Sequence, residues 1–124
     1  MRAIVCRKLG PLSALRLEDV PEPDLGPGQI RIGIKAAGIN FPDILTVEGV
    51  YQHKPPLPFI VGFEIAGEVL EVADDVRSFE NGDRVIAGIR PGGFAEQAVV
   101  EASAVQYTPK PFDDITAAAF RVTY

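Results

Sequence analysis

Short apolar stretches separated by turn-forming residues run through the whole chain, and the clearest of them lies at residues 30–36. There Ile30, Ile32 and Ile34 alternate with polar or small residues. A period of two places one set of side chains on the buried face of a strand and the other in water. The pattern therefore predicts a strand over residues 30–36.

Six further segments have the length and composition of strands, and turn-forming pairs such as Asp74-Asp75 and Asn81-Gly82 separate them. The chain also holds 12 Gly and 11 Pro, which is typical of a domain with many turns. We expect a mainly β domain with short helices, built as a sandwich or a partly open barrel. The six predicted strands are Ala3–Arg7, Ala14–Val20, Glu64–Val72, Asp83–Gly88, Gly93–Val100 and Ala104–Tyr107.

One segment between the predicted strands has the features of a helix start. Asn40 is suited to the N-cap position, Pro42 falls in the first turn, and Asp43 lies beside the positive end of the helix dipole. The pattern predicts a short helix that runs from this cap to about Glu48.

A second helix is predicted near the end of the sequence. The acidic pair at residues 113–114 offers a cap before the apolar run at residues 117–120. No Gly, Asn or Pro follows before Tyr124, so no residue that commonly stops a helix is present. We expect the chain to end inside this element, as a truncated domain would.

Length, charge and cysteine content restrict the function. A chain of 124 residues is the size of one domain and is too short to add a complete dinucleotide-binding unit. The net charge is -5, and the Lys and Arg residues are not clustered into a basic patch. The protein would therefore repel a phosphate backbone, which argues against nucleic acid as a partner. Apolar runs stay below the roughly 20 residues that span a membrane. The single cysteine, Cys6, excludes an internal disulfide, so we expect a cytoplasmic protein in which Cys6 is a small buried side chain.

Five segments with characteristic motifs follow one another along the sequence: Gly38–Leu45, Glu48–Tyr51, Pro56–Val69, Asn81–Val85 and Gly92–Glu96. In these motifs and in their order, the chain resembles the medium-chain dehydrogenase/reductase superfamily, and most closely its zinc-independent quinone oxidoreductase branch, which includes zeta-crystallin. The resemblance covers essentially the whole chain.

The resemblance implies a fold and a cofactor. Residues 1–124 would form a GroES-like, partly open β-barrel on the substrate side of the active-site cleft, and a Rossmann domain beyond them would hold most of NADPH. In agreement, the glycine-rich dinucleotide fingerprint is absent from this sequence. The substrate implied is a small quinone or enone, and the complete enzyme is expected to be a homo-oligomer.

The resemblance also implies that no metal takes part. The zinc alcohol dehydrogenases of the same superfamily carry metal ligands at the positions of Asn40 and Phe63, and neither a carboxamide nor a phenyl ring meets the ligand preferences of zinc. A structural zinc site would need four cysteines, whereas Cys6 is alone. His53 is the only histidine, so we interpret it as a surface-loop residue.

Two residues are the candidates for catalysis, and each has a purely structural alternative. Asn40 is suited to cap the helix, and by resemblance it also lies at the nicotinamide and substrate cleft, which makes it a candidate for cofactor contact. Tyr51 could simply pack at the end of the helix, whereas by resemblance its phenol faces the substrate and could donate to a carbonyl oxygen. We interpret Asp43 and Glu64 as structural hydrogen-bond acceptors.

Two other functions stay open from the sequence alone. A stand-alone GroES-like β-barrel could act as a binding or assembly module without catalysis, because a fold does not determine a function. A fragment of a zinc-dependent alcohol dehydrogenase is the third alternative, and the replaced metal ligands argue against it. Continuation of the chain into a cofactor domain would distinguish the first alternative from an enzyme.

Overall fold

A computed structural model of the protein describes residues 1–123, with side chains for residues 1–120. Tyr124, which the predicted second helix would include, lies outside the described residues. Short 3-10 turns occupy Leu12–Ala14 and Ala102–Ala104. The helices are α1 (Phe41–Glu48) and α2 (Asp114–Thr123). The strands are β1 (Arg2–Cys6), β2 (Arg16–Asp19), β3 (Gln29–Gly38), β4 (Phe59–Ile60), β5 (Glu64–Val72), β6 (Arg84–Gly88), β7 (Gln97–Glu101) and β8 (Val105–Tyr107).

The strands form two antiparallel sheets that do not close on each other. The smaller sheet has the order β2-β1-β4, and the larger has the order β7-β3-β5-β6-β8. Backbone hydrogen bonds link the two sheets through Glu96, because the Glu96 N–H donates to the Arg2 carbonyl of β1 at 3.2 Å and the Ile34 N–H of β3 donates to the Glu96 carbonyl at 2.9 Å. The mainly β fold with short helices, in the form of a partly open barrel, is thus confirmed.

The main core lies on one face of the larger sheet. Ile30 and Ile32, which carry the alternating pattern, are completely buried and pack with Ile65, Val69 and Val85. Their burial explains why β3 pairs with β5 on one side and with β7 on the other, since each pairing brings more apolar side chains onto the same face.

Strands β3 and β5 approach each other so closely that one position excludes any side chain. A Cβ atom on Gly67 would lie 2.1 Å from the Gly33 carbonyl oxygen, which is backbone and has little freedom to move. The atoms nearest to a Cβ atom on Gly33 itself would be those of the Leu70 side chain, the first at 3.1 Å. Gly67 is therefore required by packing between strands, whereas Gly33 is not.

The strands differ from the predictions in several of their bounds and in one additional strand. The segment predicted to begin at Ala14 forms a 3-10 turn first, and strand β2 begins at Arg16. The segment predicted to begin at Gly93 enters β7 only at Gln97, because the Gly93 and Phe94 N–H groups donate to the Gly62 and Val61 carbonyls instead of joining the larger sheet. Strand β4 was not predicted, since two residues show no alternation.

Helix α2 covers the outer face of the larger sheet. The Asp113 carboxylate accepts the Thr116 N–H at 2.7 Å, which confirms a cap at the predicted acidic pair. Ala117 and Ala118 are buried against Ala66 and Ile86. Within the described residues, no helix is both long and apolar enough to cross a membrane.

Candidate functional site

A cleft of about 730 Å³ opens beside the start of α1 and is the candidate functional site. Asn40 lies at the N-cap of α1, and Tyr51 follows the end of that helix. Both line the cleft, together with Phe63, His53 and Arg90. The structure therefore brings the two residues selected from the sequence, Asn40 and Tyr51, into one cavity.

The Asn40 side chain is held in place by the residues around it. Its backbone is extended, with φ -126° and ψ 159°, and it forms a capping box with Asp43, whose carboxylate accepts the Asn40 N–H at 2.7 Å. The predicted cap is thus confirmed. In addition, the Asn40 side-chain amide donates to Glu64 Oε1 at 3.1 Å. Since an amide nitrogen carries two hydrogens, one donor remains for a ligand.

The end of α1 positions Tyr51. Gly49 adopts a left-handed conformation with φ 82° and terminates the helix, and the Val50 N–H then donates to the Leu45 carbonyl at 3.0 Å. The Tyr51 ring lies 6.3 Å from that of Phe63, measured between ring centroids. Its hydroxyl has no hydrogen-bond partner among the described residues, so it is free to bind a ligand.

Two buried carboxylates lie behind Asn40. Asp43 is 3% exposed and Glu64 is 2% exposed. Burial raises the pKa of Asp43, the nearby charge of Glu64 also raises it, and the hydrogen bond from Asn40 lowers it. Asp43 Oδ1 is buried without a hydrogen-bond partner. Both acids accept hydrogen bonds from Asn40, as their structural interpretation predicts.

The raised pKa of Asp43 leads to a prediction on stability. A carboxyl whose pKa is raised on folding stabilises the protein below its ordinary pKa of 3.8, and this contribution is lost as the pH rises through the folded-state value. Asp43→Asn removes the ionisation but keeps an oxygen that can accept the Asn40 N–H. Its stability relative to wild type should therefore increase from pH 4 to pH 7, as measured by urea unfolding.

Asp113 provides the matched control, since its pKa is lowered by the hydrogen bonds from Thr116. A lowered pKa gives stability that is present above the ordinary value and is lost as the pH falls through the folded-state value. The stability of Asp113→Asn relative to wild type should therefore change little from pH 4 to pH 7, and should increase only as the pH falls below the ordinary value of 3.8. Parallel curves for the two variants would contradict the assignment of the Asp43 shift to burial.

The residues considered for metal binding do not come together. Within residues 1–123, no group of three or more His, Cys, Asp or Glu side chains is arranged to hold a metal ion. Cys6 is buried, as predicted, and its thiol donates to the Lys8 carbonyl at 3.4 Å. Burial raises the pKa of this thiol, which makes it a poor ligand or nucleophile. His53 lies in an exposed loop, also as predicted.

Sequence reasoning missed two residues of the cleft. His53 was assigned to a surface loop, but that loop forms one wall of the cavity. Arg90 follows the end of β6 and lies on another wall. No periodicity or motif singled it out, because the turn Ile89-Arg90-Pro91 has the composition of an ordinary loop.

A comparison with protein families decides the family of this chain. The model of the alcohol dehydrogenase GroES-like domain matches residues 26–110. The chain belongs to that family. The matched range of this GroES-like domain includes the cleft residues Asn40, Tyr51, Phe63 and Arg90, and its relatives place it in the medium-chain dehydrogenase/reductase superfamily.

Individual relatives are similar to the GroES-like domain along its whole length. A quinone oxidoreductase-like protein 2 homolog from Nematostella vectensis is 42% identical over 99% of the chain and 34% of that protein. The quinone oxidoreductase from Thermus thermophilus, also solved in complex with NADPH, is 34% identical with a TM-score of 0.85, over 100% of this chain and 38% of that one.

A third relative is named as a synaptic vesicle membrane protein and not as an oxidoreductase. The human synaptic vesicle membrane protein VAT-1 homolog-like protein has a crystal structure that superposes with a TM-score of 0.94 at 34% identity, over 98% of this chain and 39% of that one. The chain spans about a third of the length of the curated relatives it matches.

Proposed function

We propose that residues 1–124 are the substrate-side domain of an NADPH-dependent oxidoreductase that reduces quinones or enones without zinc, and that a Rossmann domain follows them in the complete protein. The observation that carries the proposal is the pair of free donors in one cleft, the Tyr51 hydroxyl and the second hydrogen of the Asn40 amide. Support also comes from relatives named as quinone oxidoreductases, whose length is about three times that of this chain.

The two donors suit the charge that develops during carbonyl reduction. NADPH, when bound, supplies the hydride, and the carbonyl oxygen of a quinone or enone gains negative charge as that hydride arrives. Donors already held in position stabilise such charge without reorganising in the reaction. Asn40 is held by Asp43 and Glu64, and Tyr51 by the turn at Gly49. The Phe63 ring adds an apolar wall against which a planar substrate can pack.

We propose NADPH without zinc because of the side chains that lie at the positions of the metal ligands. Asn40 and Phe63 offer no thiolate or imidazole, which argues against a zinc ion at these positions. Residues 1–124 also lack the glycine-rich turn that binds a dinucleotide phosphate, so we assign most of the cofactor affinity to a Rossmann domain. On this side of the cleft, Asn40 is the residue that would contact the nicotinamide. The complex of the Thermus thermophilus relative with NADPH supports this cofactor.

Exposed apolar side chains near α1 are consistent with a covered surface in the complete enzyme. Ile39 is 79% exposed, Phe41 69% and Val50 69%, and these residues flank the cleft residues Asn40 and Tyr51 in sequence. Contiguous exposed apolar side chains commonly mark interfaces. We propose that the following domain or a second copy covers them, and separately that the complete enzyme is a homo-oligomer in the cytoplasm.

The test compares this chain with the longer protein obtained by continuing it through the rest of its own gene. We expect the 124-residue chain to show no NADPH-dependent reduction of 1,4-naphthoquinone, and the longer protein to reduce it and to keep its activity after dialysis against EDTA. NADPH oxidation followed at the nicotinamide absorbance measures both. A longer protein that reduces neither quinones nor enones would instead favour a binding module, and loss of activity that only zinc restores would favour an alcohol dehydrogenase.

A further inference from the structure

Arg90 differs from the other arginines whose side chains the structure describes. Each of the others forms an ion pair or a hydrogen bond, whereas Arg90 has neither and is exposed on the wall of the cleft. The carboxylates of Glu96, Glu18, Glu71 and Asp114 face Arg2, Arg7, Arg31 and Arg84 respectively, and Arg16 and Arg77 donate to backbone carbonyls.

The surroundings of Arg90 leave its charge without compensation. Among the residues whose side chains the structure describes, no Asp or Glu lines the cleft. Glu101 lines a neighbouring cavity of about 600 Å³ that shares Arg90, but its carboxylate accepts the Gln29 side-chain amide at 3.1 Å. The buried pair Asp43 and Glu64 hydrogen-bonds to Asn40. A guanidinium carries five N–H donors in one plane, and those of Arg90 have no acceptor among the described residues.

The backbone that carries Arg90 is anchored on both sides. The Ile89 N–H donates to the Phe63 carbonyl at 2.8 Å, and the Gly92 N–H donates to the Gly62 carbonyl at 2.9 Å. Arg90 therefore starts from a fixed point on the cleft wall, and no acidic side chain among the described residues forms an ion pair with it. A guanidinium on an anchored backbone, with no partner of its own, is suited to bind a carboxylate or phosphate through two parallel hydrogen bonds.

We infer that Arg90 binds an anionic group, a carboxylate or a phosphate, of a ligand in the cleft. The inference rests on the proposed function, since it assigns to that cleft a ligand with one charged substituent in addition to the carbonyl that is reduced. The charged group can belong to the substrate or to the cofactor, and the experiment distinguishes these sources.

The test uses the longer protein and two matched quinones, 2-(2-carboxyethyl)-1,4-naphthoquinone and its primary amide. Their rings are alike, so the ratio of their kcat/KM values reports mainly the charge. We expect Arg90→Gln to lower the carboxylate-to-amide ratio about tenfold, because hydrogen bonds between charged groups are among the strongest. Arg77→Gln removes the same charge away from the cleft and should leave the ratio unchanged.

The cofactor is tested with the same variants. If Arg90 binds a cofactor phosphate, Arg90→Gln should raise the KM for NADPH about tenfold with both quinones and leave their ratio unchanged. If neither the ratio nor this KM changes, the inference is wrong. If the longer protein reduces no quinone, anion binding by Arg90 can still be tested on the 124-residue chain. The chain is titrated with 2-naphthoate and with the neutral 2-naphthamide, and binding is followed by NMR. Shifts of the Arg90 side-chain signal by 2-naphthoate alone support anion binding, and equal or absent shifts overturn it.

Discussion

Replacement of Tyr51 by Phe in the longer protein is expected to lower kcat/KM for 1,4-naphthoquinone about a hundredfold, with little change in stability. Removal of one donor to a developing oxyanion typically costs about a hundredfold to a thousandfold in rate. The Tyr51 hydroxyl has no partner among the described residues, so its deletion breaks no hydrogen bond seen within the domain. Steady-state kinetics with NADPH measure the effect. Tyr107→Phe is the matched control, since the Tyr107 hydroxyl donates to the Ser78 carbonyl.

Asn40 needs a pair of variants within the same experiment, because it is both a cap and a cleft residue. Asn40→Ser keeps a good N-cap but removes the carboxamide, and Asn40→Ala removes both. A similar loss of activity for the two variants, with Asn40→Ala the less stable of the two, would indicate that the amide acts on the ligand. Full activity of Tyr51→Phe and of Asn40→Ser would contradict the assignment and leave Asn40 as a helix cap and Tyr51 as a packing residue.

The largest effect on stability is expected from Gly67→Ala. The new methyl group would lie 2.1 Å from the Gly33 carbonyl oxygen, so strands β3 and β5 would have to separate where they pair. Such overpacking should lower the free energy of unfolding by about 3 kcal/mol. Urea unfolding followed by circular dichroism measures it.

Gly33→Ala is the matched control, since it adds the same methyl group on the partner strand. The atoms nearest to that methyl group would be those of Leu70, which is 43% exposed and can rotate away. We expect a change of about 1 kcal/mol or less. Equal losses for the two variants would show that the distance to the Gly33 carbonyl is not the cause.

The elements that depend on local pattern were predictable from the sequence. The alternation of isoleucines in residues 30–36 predicted the centre of β3, and the segment Glu64–Val72 was predicted with the bounds that β5 has. Helix α1 was predicted with its cap at Asn40, because Pro42 and Asp43 are local signals of a helix start. These features are encoded within a few neighbouring residues.

Features that depend on contacts distant in sequence were not predictable in the same way. Strand β4 exists because Phe59 and Ile60 pair with β1, more than fifty positions earlier in the chain. The contact of Asn40 with Glu64 requires α1 to start beside β5. Arg90 could be recognised only after the partners of the other arginines were known. Resemblance to a family supplied the candidates Asn40 and Tyr51, and geometry supplied their surroundings.

The hydrogen bond between Asn40 and Glu64 has a consequence for conformational entropy. A polar side chain that becomes immobilised on binding costs about 0.5 to 1.5 kcal/mol of affinity. Asn40 is already held by its own fold, with the amide bonded to a carboxylate that is 2% exposed. Its rotamer freedom is therefore given up when the domain folds, and a ligand that accepts from this amide gains the hydrogen bond without losing affinity to order it.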